Sequence, residues 1–493
     1  MGQRGRHTFF DACAGVGCFH MGMRDSGFDC VGAAELDAGL QQRYPSAFGE
    51  DLPMFGDVRR VTTTKAWKSA EPGMMGSVMV AGFPCTPWSK SGDQSGKKHG
   101  AGTVFWSLLT MMDRLESPAF VFENVTNLLG DRHRRVWAEM RRELKRRGYH
   151  VGYERISTRD VGIPQNRNRV FIVGRKADGP GEPEEGYFAE QFRQIKSLDA
   201  GERPLDEVIS PGPWGRGLSQ THREALEVWD QYLGWTLEDN GMILEHLPKP
   251  LWGMEAIYED QYDITRLQSK IDDAGGGPVG KEGLLEALNP SIAHVASQLD
   301  PDEIVRRFLP PYYRKVALGM AANYSQRGAF ALRSRAHMDH LKKWVSGHHS
   351  RGAWDAWYSR LKSMDPSFQK FEYHVAREPP PDTRGLSGDE ALMARFGGHL
   401  VQFRSSGVRV SRSNRFPTLV AIGQVPYTGS PEGGLKQPSW EALARLQSIP
   451  EGDISSKRDL FGSNGEPVRR LGNAVNVEIV RQIGKRLRAE LEA

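Results

Sequence analysis

Cysteine is scarce in this chain. Four thiols occur in 493 residues, Cys13, Cys18, Cys30 and Cys85, and no two of them form a C-x-x-C pair. That argues against a disulfide framework and against a zinc site and suits a reducing cytosol, so a cytoplasmic location is expected. Long apolar runs are also missing. Nothing approaches the roughly 20 residues that cross a bilayer, and no membrane partner is expected. The segment Met1 to His7 is polar and basic, without the apolar centre of a signal peptide. Arg6 stands where a myristoylation signal carries Ser or Thr. Neither sign of charge dominates. The 65 Lys and Arg against 61 Asp and Glu leave +4, which permits nucleic acid as a partner without requiring it. There is no internal repeat. The 39% hydrophobic and 26% charged residues are ordinary for a folded protein, and the length implies two or three domains.

The most constrained stretch is Met79-Val80-Ala81-Gly82-Phe83-Pro84-Cys85-Thr86-Pro87-Trp88-Ser89. Its start is the short apolar run of a buried strand. Pro84 and Pro87 then fix two φ angles and remove two N–H donors, so the chain leaves the sheet as a stiff loop. A cysteine on such a loop is where an α/β enzyme places a nucleophile, although most free cysteines are small buried hydrophobes.

Other features fall at the ends of apolar runs. His7 to Ala12 reads as a strand running into Gly15-Val16-Gly17, a turn at which backbone can approach a ligand. Val31 to Ala34 reads as a second strand ending in Glu35. An acid about 20 positions after the glycine turn is placed to accept ribose hydroxyls. Asp57 ends a third segment and could accept from an exocyclic amine, or cap a helix. Ala119 to Phe122 ends in Glu123-Asn124-Val125. Val104 to Leu115 looks helical. Arg132 to Arg147 reads as a basic helix with Val136, Met140 and Leu144 on one face, taken as a solvated face more than a DNA contact. Arg167 and Arg169, two apart on an extended segment, should point the same way and could clamp a phosphate or base carbonyl.

After Gly174 the alternation of strand and helix stops. Lys176 to Gly186 reads as a linker. Helical pieces follow at Gln220 to Trp235, Gly328 to Val345 and Ala353 to Met364. Aromatics mixed with basic residues, as in Pro310 to Lys315 and Lys342-Lys343-Trp344, suit a nucleic-acid surface or an ordinary charged one. Order returns at Arg415. A short helix, Trp440 to Gln447, precedes Gly472-Asn473-Ala474-Val475. The last helix carries Ile479, Ile483, Leu487 and Leu491 at a spacing of four.

In this order, these blocks resemble the DNA cytosine-5 methyltransferase family. The blocks are Asp11 to Gly17, Glu35, Asp57-Val58, Gly82 to Cys85, Phe122 to Val125, Gln165-x-Arg167-x-Arg169, Glu441 to Pro450 and Gly472 to Val475. The resemblance implies an α/β fold: a Rossmann-like S-adenosylmethionine-dependent methyltransferase domain with a mixed, mostly parallel sheet, plus a large irregular α+β target-recognition domain. The expected limits are 1–175 and 411–493 for the catalytic part and 176–410 for target recognition. Cys85, Glu123, Arg167 and Arg169 are the implied catalytic residues. S-adenosyl-L-methionine is the implied cofactor, held by Asp11, Cys13, Gly15, Val16, Gly17, Glu35, Leu36, Asp57, Val58, Gly82, Pro84, Val104, Asn473, Ala474 and Val475. Gly92 to Gly102 corresponds to the family's mobile loop.

The implied partner is double-stranded DNA, its target cytosine flipped out of the helix. A cognate restriction endonuclease is the expected genetic partner, and a monomer suffices. The sequence departs from the family at Cys13, usually aromatic, at Cys18, usually glycine, and at Thr86, often Gln. It also lacks the usual Arg before Gly102-Thr103. RNA as the substrate, or a weakly catalytic DNA-binding regulator, is the alternative reading.

Overall fold

The computed structural model describes residues 7–84, 103–177, 186–198, 201, 203–234, 251–252, 261–309, 313–314, 317–319, 351–364, 368, 370–374, 382–383, 385–404, 407–421, 424–463 and 465–493. The expected nucleophile Cys85, the loop Gly92 to Gly102, most of the linker and the expected helix Gly328 to Val345 lie outside these residues. The chain divides into two compact units. One comprises Met1–Pro213, Asn414–Gly423 and Pro438–Ala493, the other Trp214–Ser413 and Gln424–Gln437.

The first unit is built on a seven-stranded sheet. Its elements in chain order are β1 (Thr8–Ala12), α1 (Cys18–Arg24), β2 (Asp29–Ala34), α2 (Ala38–Phe48), β3 (Met54–Phe55), α3 (Lys65–Met74), β4 (Val78–Gly82), α4 (Val104–Arg114), β5 (Ala119–Val125), α5 (Arg134–Arg146), β6 (Tyr149–Ser157), β7 (Gln165–Asn166) and β8 (Asn168–Lys176). The sheet order is β3-β2-β1-β4-β5-β8-β6. The first five strands are parallel, and β8 enters antiparallel between β5 and β6. Strands covered on both faces need continuous apolar sequence. Phe9 and Phe10, Val78 to Ala81 and Ala119 to Phe122 supply it, and all are buried.

The strand order reverses beside β1, whose neighbours are β2 and β4. In open α/β sheets the crevice beyond the carboxyl ends at such a reversal is where ligands bind.

Two helices are hidden in the sequence by internal prolines, Pro45 in α2 and Pro72 in α3. Each proline removes one helical hydrogen bond. The helices stand because both starts are capped, Asp37 accepting from Leu40 N and Thr64 from Trp67 N, and because Leu40, Tyr44, Trp67 and Met74 are buried. In α5 the buried stripe is Trp137, Met140 and Leu144. Trp137 takes the place expected of Val136, because spacings of three and four keep a helix stripe on one face. Arg134, Arg135, Arg142 and Arg146 are exposed on the solvated side, whereas Arg141 lies over the Tyr153 ring beside Trp137.

The chain returns to the first unit at its end. The helix Val477–Glu492 packs on α1, and glycine permits the approach. A Cβ on Gly22 would sit 2.6 Å from Val480 Cβ, and one on Gly484 would sit 2.2 Å from Ser26 Oγ.

The second unit contains a four-stranded sheet, ordered Leu251–Trp252, Lys370–His374, Gly407–Arg412, His399–Arg404. Helices Gln220–Leu233, Arg351–Ser363 and Gly388–Phe396 close one face of it around Trp229, Tyr232, Trp357, Phe371, Phe396 and Val410. The described residues of 262–309, with Tyr313 and Ala317, form a separate helical core around Leu267, Leu284 and Ile304.

Candidate active site

Strand register brings three loops to one edge. Ala12 on β1 lies beside Ala81 on β4, and Gly82 lies beside Glu123 on β5. The glycine turn after β1, the Phe83-Pro84 segment after β4 and the acid block on β5 are therefore neighbours. Asn124 is fully buried. Its Nδ2 donates to Phe83 O at 3.1 Å and its Oδ1 accepts from Val125 N at 2.9 Å. One side chain thus fixes the backbone two residues before Cys85.

Glu123 forms an ion pair with Arg169, Oε1 to Nε at 2.8 Å. Register across β5 and β8 sets this up, since Val125 faces Arg169 and Glu123 faces Phe171. Burial pushes the Glu123 carboxyl above the usual range, against the opposing pull of Arg169 and Arg167. A carboxyl held in this way retains its proton more readily than a solvated one.

Arg167 departs from expectation. It is 2% exposed, and its guanidinium donates to the carbonyls of Leu419 at 3.1 Å, Gly472 at 3.2 Å and Ala474. The two arginines do not share a face because the chain changes ladder between them. Gln165–Asn166 pairs with Phe416–Pro417, whereas Asn168–Lys176 joins the main sheet. Arg167 sits at the break, where strand alternation does not apply. It ties the C-terminal return to the first unit.

The residues expected at the cofactor fall into three groups. Glu35, Leu36, Asp57, Cys13, Gly15 and Gly17 lie at the carboxyl ends of β1, β2 and β3. Glu35 Oε2 accepts from Gly15 N at 2.8 Å, joining the second strand end to the glycine turn. Its Oε1 accepts from Leu36 N and Asp37 N. Leu36 is 66% exposed. The Arg59 guanidinium holds the Asp57 carboxyl below the usual range. Gly15 and Gly17 have φ of 55° and 76°, and Cys13 has 59°, so this turn is left-handed at three positions.

The second group is buried: Val16, Val58, Val104, Ala474 and Val475, whereas Asn473 is exposed. Gly82 and Pro84 continue β4 toward Cys85. Asp11 forms the third group, a correction. Its side chain is 0% exposed and lies beneath the turn.

Asp11 Oδ2 accepts from Tyr44 OH at 2.9 Å, and Tyr44 OH meets His20 Nδ1 at 3.1 Å. The His20 ring stacks on Phe48 at 4.1 Å. A Cβ on Gly17 would meet that Phe48 ring at 2.3 Å. Burial moves Asp11 up to about 7 and His20 down to about 3. Both therefore prefer their neutral forms, as buried groups do. The sequence shows no signal for this network, because Tyr44 and His20 come from helices that no motif marks. Tyr44→Phe removes the side-chain donor to the Asp11 carboxyl and leaves the backbone donor at His20. It is expected to destabilise the protein by about 1–3 kcal/mol in urea denaturation.

The donor set fits a nucleoside-bearing cofactor. Carboxylates end two adjacent strands, an exposed leucine stands beside one of them, and a left-handed glycine turn leaves space where a Cβ on Gly15 would meet nothing within 4 Å. Among the described residues no group of acids, histidines and cysteines could hold a metal.

Residues 7–209 match the family model of the C-5 cytosine-specific DNA methylase. The chain is 28% identical to the type II methyltransferase M.AluI of Cellulosimicrobium cellulans, over 97% of this chain and 91% of that protein. It is 34% identical to the type II methyltransferase M.HpaII of Haemophilus parainfluenzae over 35% of this chain, an alignment that spans 46% of that protein. The crystal structure of the S. pombe Dnmt2 methyltransferase overlaps at a TM-score of 0.45 with 12% identity, over 99% of this chain and 100% of that one. With its strand order and its acid and glycine blocks in place, the segment 7–209 is similar to the DNA cytosine-5 methyltransferases.

Proposed function

We propose that this enzyme methylates C5 of cytosine within a short sequence of duplex DNA, through a covalent bond between Cys85 and C6 of a flipped-out base. The observation that carries the reading is the Glu123–Arg169 pair, set by register beside Gly82, three residues before Cys85. Cytosine C5 is a weak nucleophile. Addition of the Cys85 thiolate forms an S–C6 bond and moves the C5–C6 π pair onto C5. Glu123, keeping a proton, donates to N3 as negative charge develops on the ring. Arg169 holds Glu123 and presents its remaining donors to O2.

Asn124 aligns the loop before Cys85. Glu35, Leu36 and Asp57 bind ribose and adenine, and the turn Cys13 to Gly17 admits the backbone close to the ligand. S-adenosylmethionine bound there supplies an electrophilic methyl group. Loss of the C5 proton to water, return of the N3 proton to Glu123 and cleavage of the S–C6 bond restore the aromatic base and the Cys85 thiolate. Flipping the base costs a few kcal/mol. The unit Trp214–Ser413 with Gln424–Gln437 is the target-recognition domain in this reading. The protein acts as a monomer, and its role is protection of host DNA against a cognate endonuclease.

The test is covalent trapping. A duplex carrying 5-fluorocytosine has no C5 proton to lose after methyl transfer, so the adduct persists. A band stable to denaturant should form with S-adenosylmethionine and the native protein, and not with Cys85→Ala. Equal trapping by both would overturn the assignment of Cys85.

A further inference from the structure

Strand β6 runs parallel to β5, because each is antiparallel to β8 between them. Helix α5 is therefore a crossover. It starts at the carboxyl edge of the sheet, where β5 delivers Glu123, and descends to the opposite edge. One contact fixes it against the outer strand. The Trp137 and Tyr153 rings meet edge to face at 4.8 Å, and the Arg141 guanidinium lies 5.5 Å from the centre of the Tyr153 ring.

Two arginines stand one step nearer the carboxyl edge. Arg134 precedes Trp137 by three, so it shares that face of the helix, about 5 Å further up the axis. Arg155 follows Tyr153 by two, so it shares that face of the strand, about 7 Å further up. Helix and strand thus bring Arg134 and Arg155 together at the edge. Both are exposed, as is Arg135. None of these three side chains makes a hydrogen bond or ion pair among the described residues. Lower on the helix the pattern differs, because Glu143 pairs with Arg146 and Arg147. The first turn of α5 holds no acid. Cations there oppose the helix dipole, so the fold gains nothing from Arg134 and Arg135 in that place, whereas a bound anion gains from the arginines and the dipole together.

The patch flanks the catalytic pair. Ile156, next to Arg155, lies across from Arg169, which pairs with Glu123. Strand β6 is two strand spacings from β5, about 10 Å. That is about three nucleotides along one strand of a duplex.

We infer that Arg134 and Arg155, with Arg135 beside them, hold phosphates of the substrate duplex about three nucleotides from the flipped cytosine. The inference rests on the reading of the Glu123–Arg169 edge as the methylation site. Phosphate contacts fix register and carry no sequence information, so the patch sets affinity and leaves the choice of motif elsewhere.

The test is the salt dependence of binding to a duplex that carries the motif methylated by the wild type, measured on full-length proteins. Each phosphate contact contributes about 0.9 to the slope of log K against log salt. The double variant Arg134→Ala, Arg155→Ala should lower the slope by about two, with the methylated motif and KM for S-adenosylmethionine unchanged. The double variant Arg134→Lys, Arg155→Lys should keep the native slope, because the charge remains. Arg142→Ala removes an arginine that is also exposed but lies about 12 Å down the helix, and it should keep the native slope too. A native slope in the double alanine variant overturns the inference. So does an equal loss in Arg142→Ala, a lost slope in the lysine variant, or a changed motif. If the wild type neither binds nor methylates duplex DNA, the methylase reading falls and takes this inference with it. A wild type that methylates, beside a double alanine variant with the native slope, overturns the inference alone.

Discussion

Glu123→Gln leaves a folded protein that transfers methyl groups about 10²–10⁴-fold more slowly. The isostere keeps the buried volume beside Gly82 but offers a weaker proton donor to the cytosine N3. Loss should appear in kcat, with KM for S-adenosylmethionine unchanged, because the carboxyl lies at the nucleophile strand and not at the glycine turn. The pH profile carries a second signature. Burial raises the Glu123 pKa, so the protonated form persists above the usual carboxylate range and is lost as pH rises through the raised value. Native activity should therefore fall on an alkaline limb that belongs to this group, and the residual activity of Glu123→Gln should lack it. A variant with native kcat, or one that retains the limb, contradicts the assignment. Single-turnover kinetics between acidic and alkaline pH measures both.

Arg167→Ala should act on stability. Its guanidinium satisfies carbonyls of Leu419, Gly472 and Ala474 from a buried position. Removal orphans buried acceptors at about 1–3 kcal/mol each, so a total loss of about 3 kcal/mol or more is expected. That is a large fraction of the stability of an ordinary domain. Chemical denaturation of the variant should show a lowered midpoint. Arg169→Ala, two residues on, should keep the native midpoint and lose turnover. The reverse pattern, a stable and inactive Arg167→Ala, would return Arg167 to the catalytic set.

These two arginines also show where sequence reading stopped. Strand ends bearing Glu35, Asp57 and Glu123 were legible because a buried parallel strand is a continuous apolar run, and the chemistry follows at its carboxyl end. The common fate of Arg167 and Arg169 was not legible. It assumes one unbroken strand, whereas the chain changes ladder at Arg167. In helices α2 and α3 burial outweighs the internal prolines Pro45 and Pro72. The buried chain Asp11–Tyr44–His20 escaped because its side-chain links join residues 24 and 33 apart. The placement of Asp11 beneath the turn was equally invisible, since a motif marks a residue and not the side to which it points.

The most direct measurement is nucleoside mass spectrometry of duplex DNA incubated with S-adenosylmethionine and either the native protein or Cys85→Ala. The account predicts 5-methylcytosine with the native protein, at one short motif on conversion sequencing, and none with Cys85→Ala. Unmodified cytosine with a native protein that demonstrably binds S-adenosylmethionine, or equal 5-methylcytosine from both proteins, would contradict it.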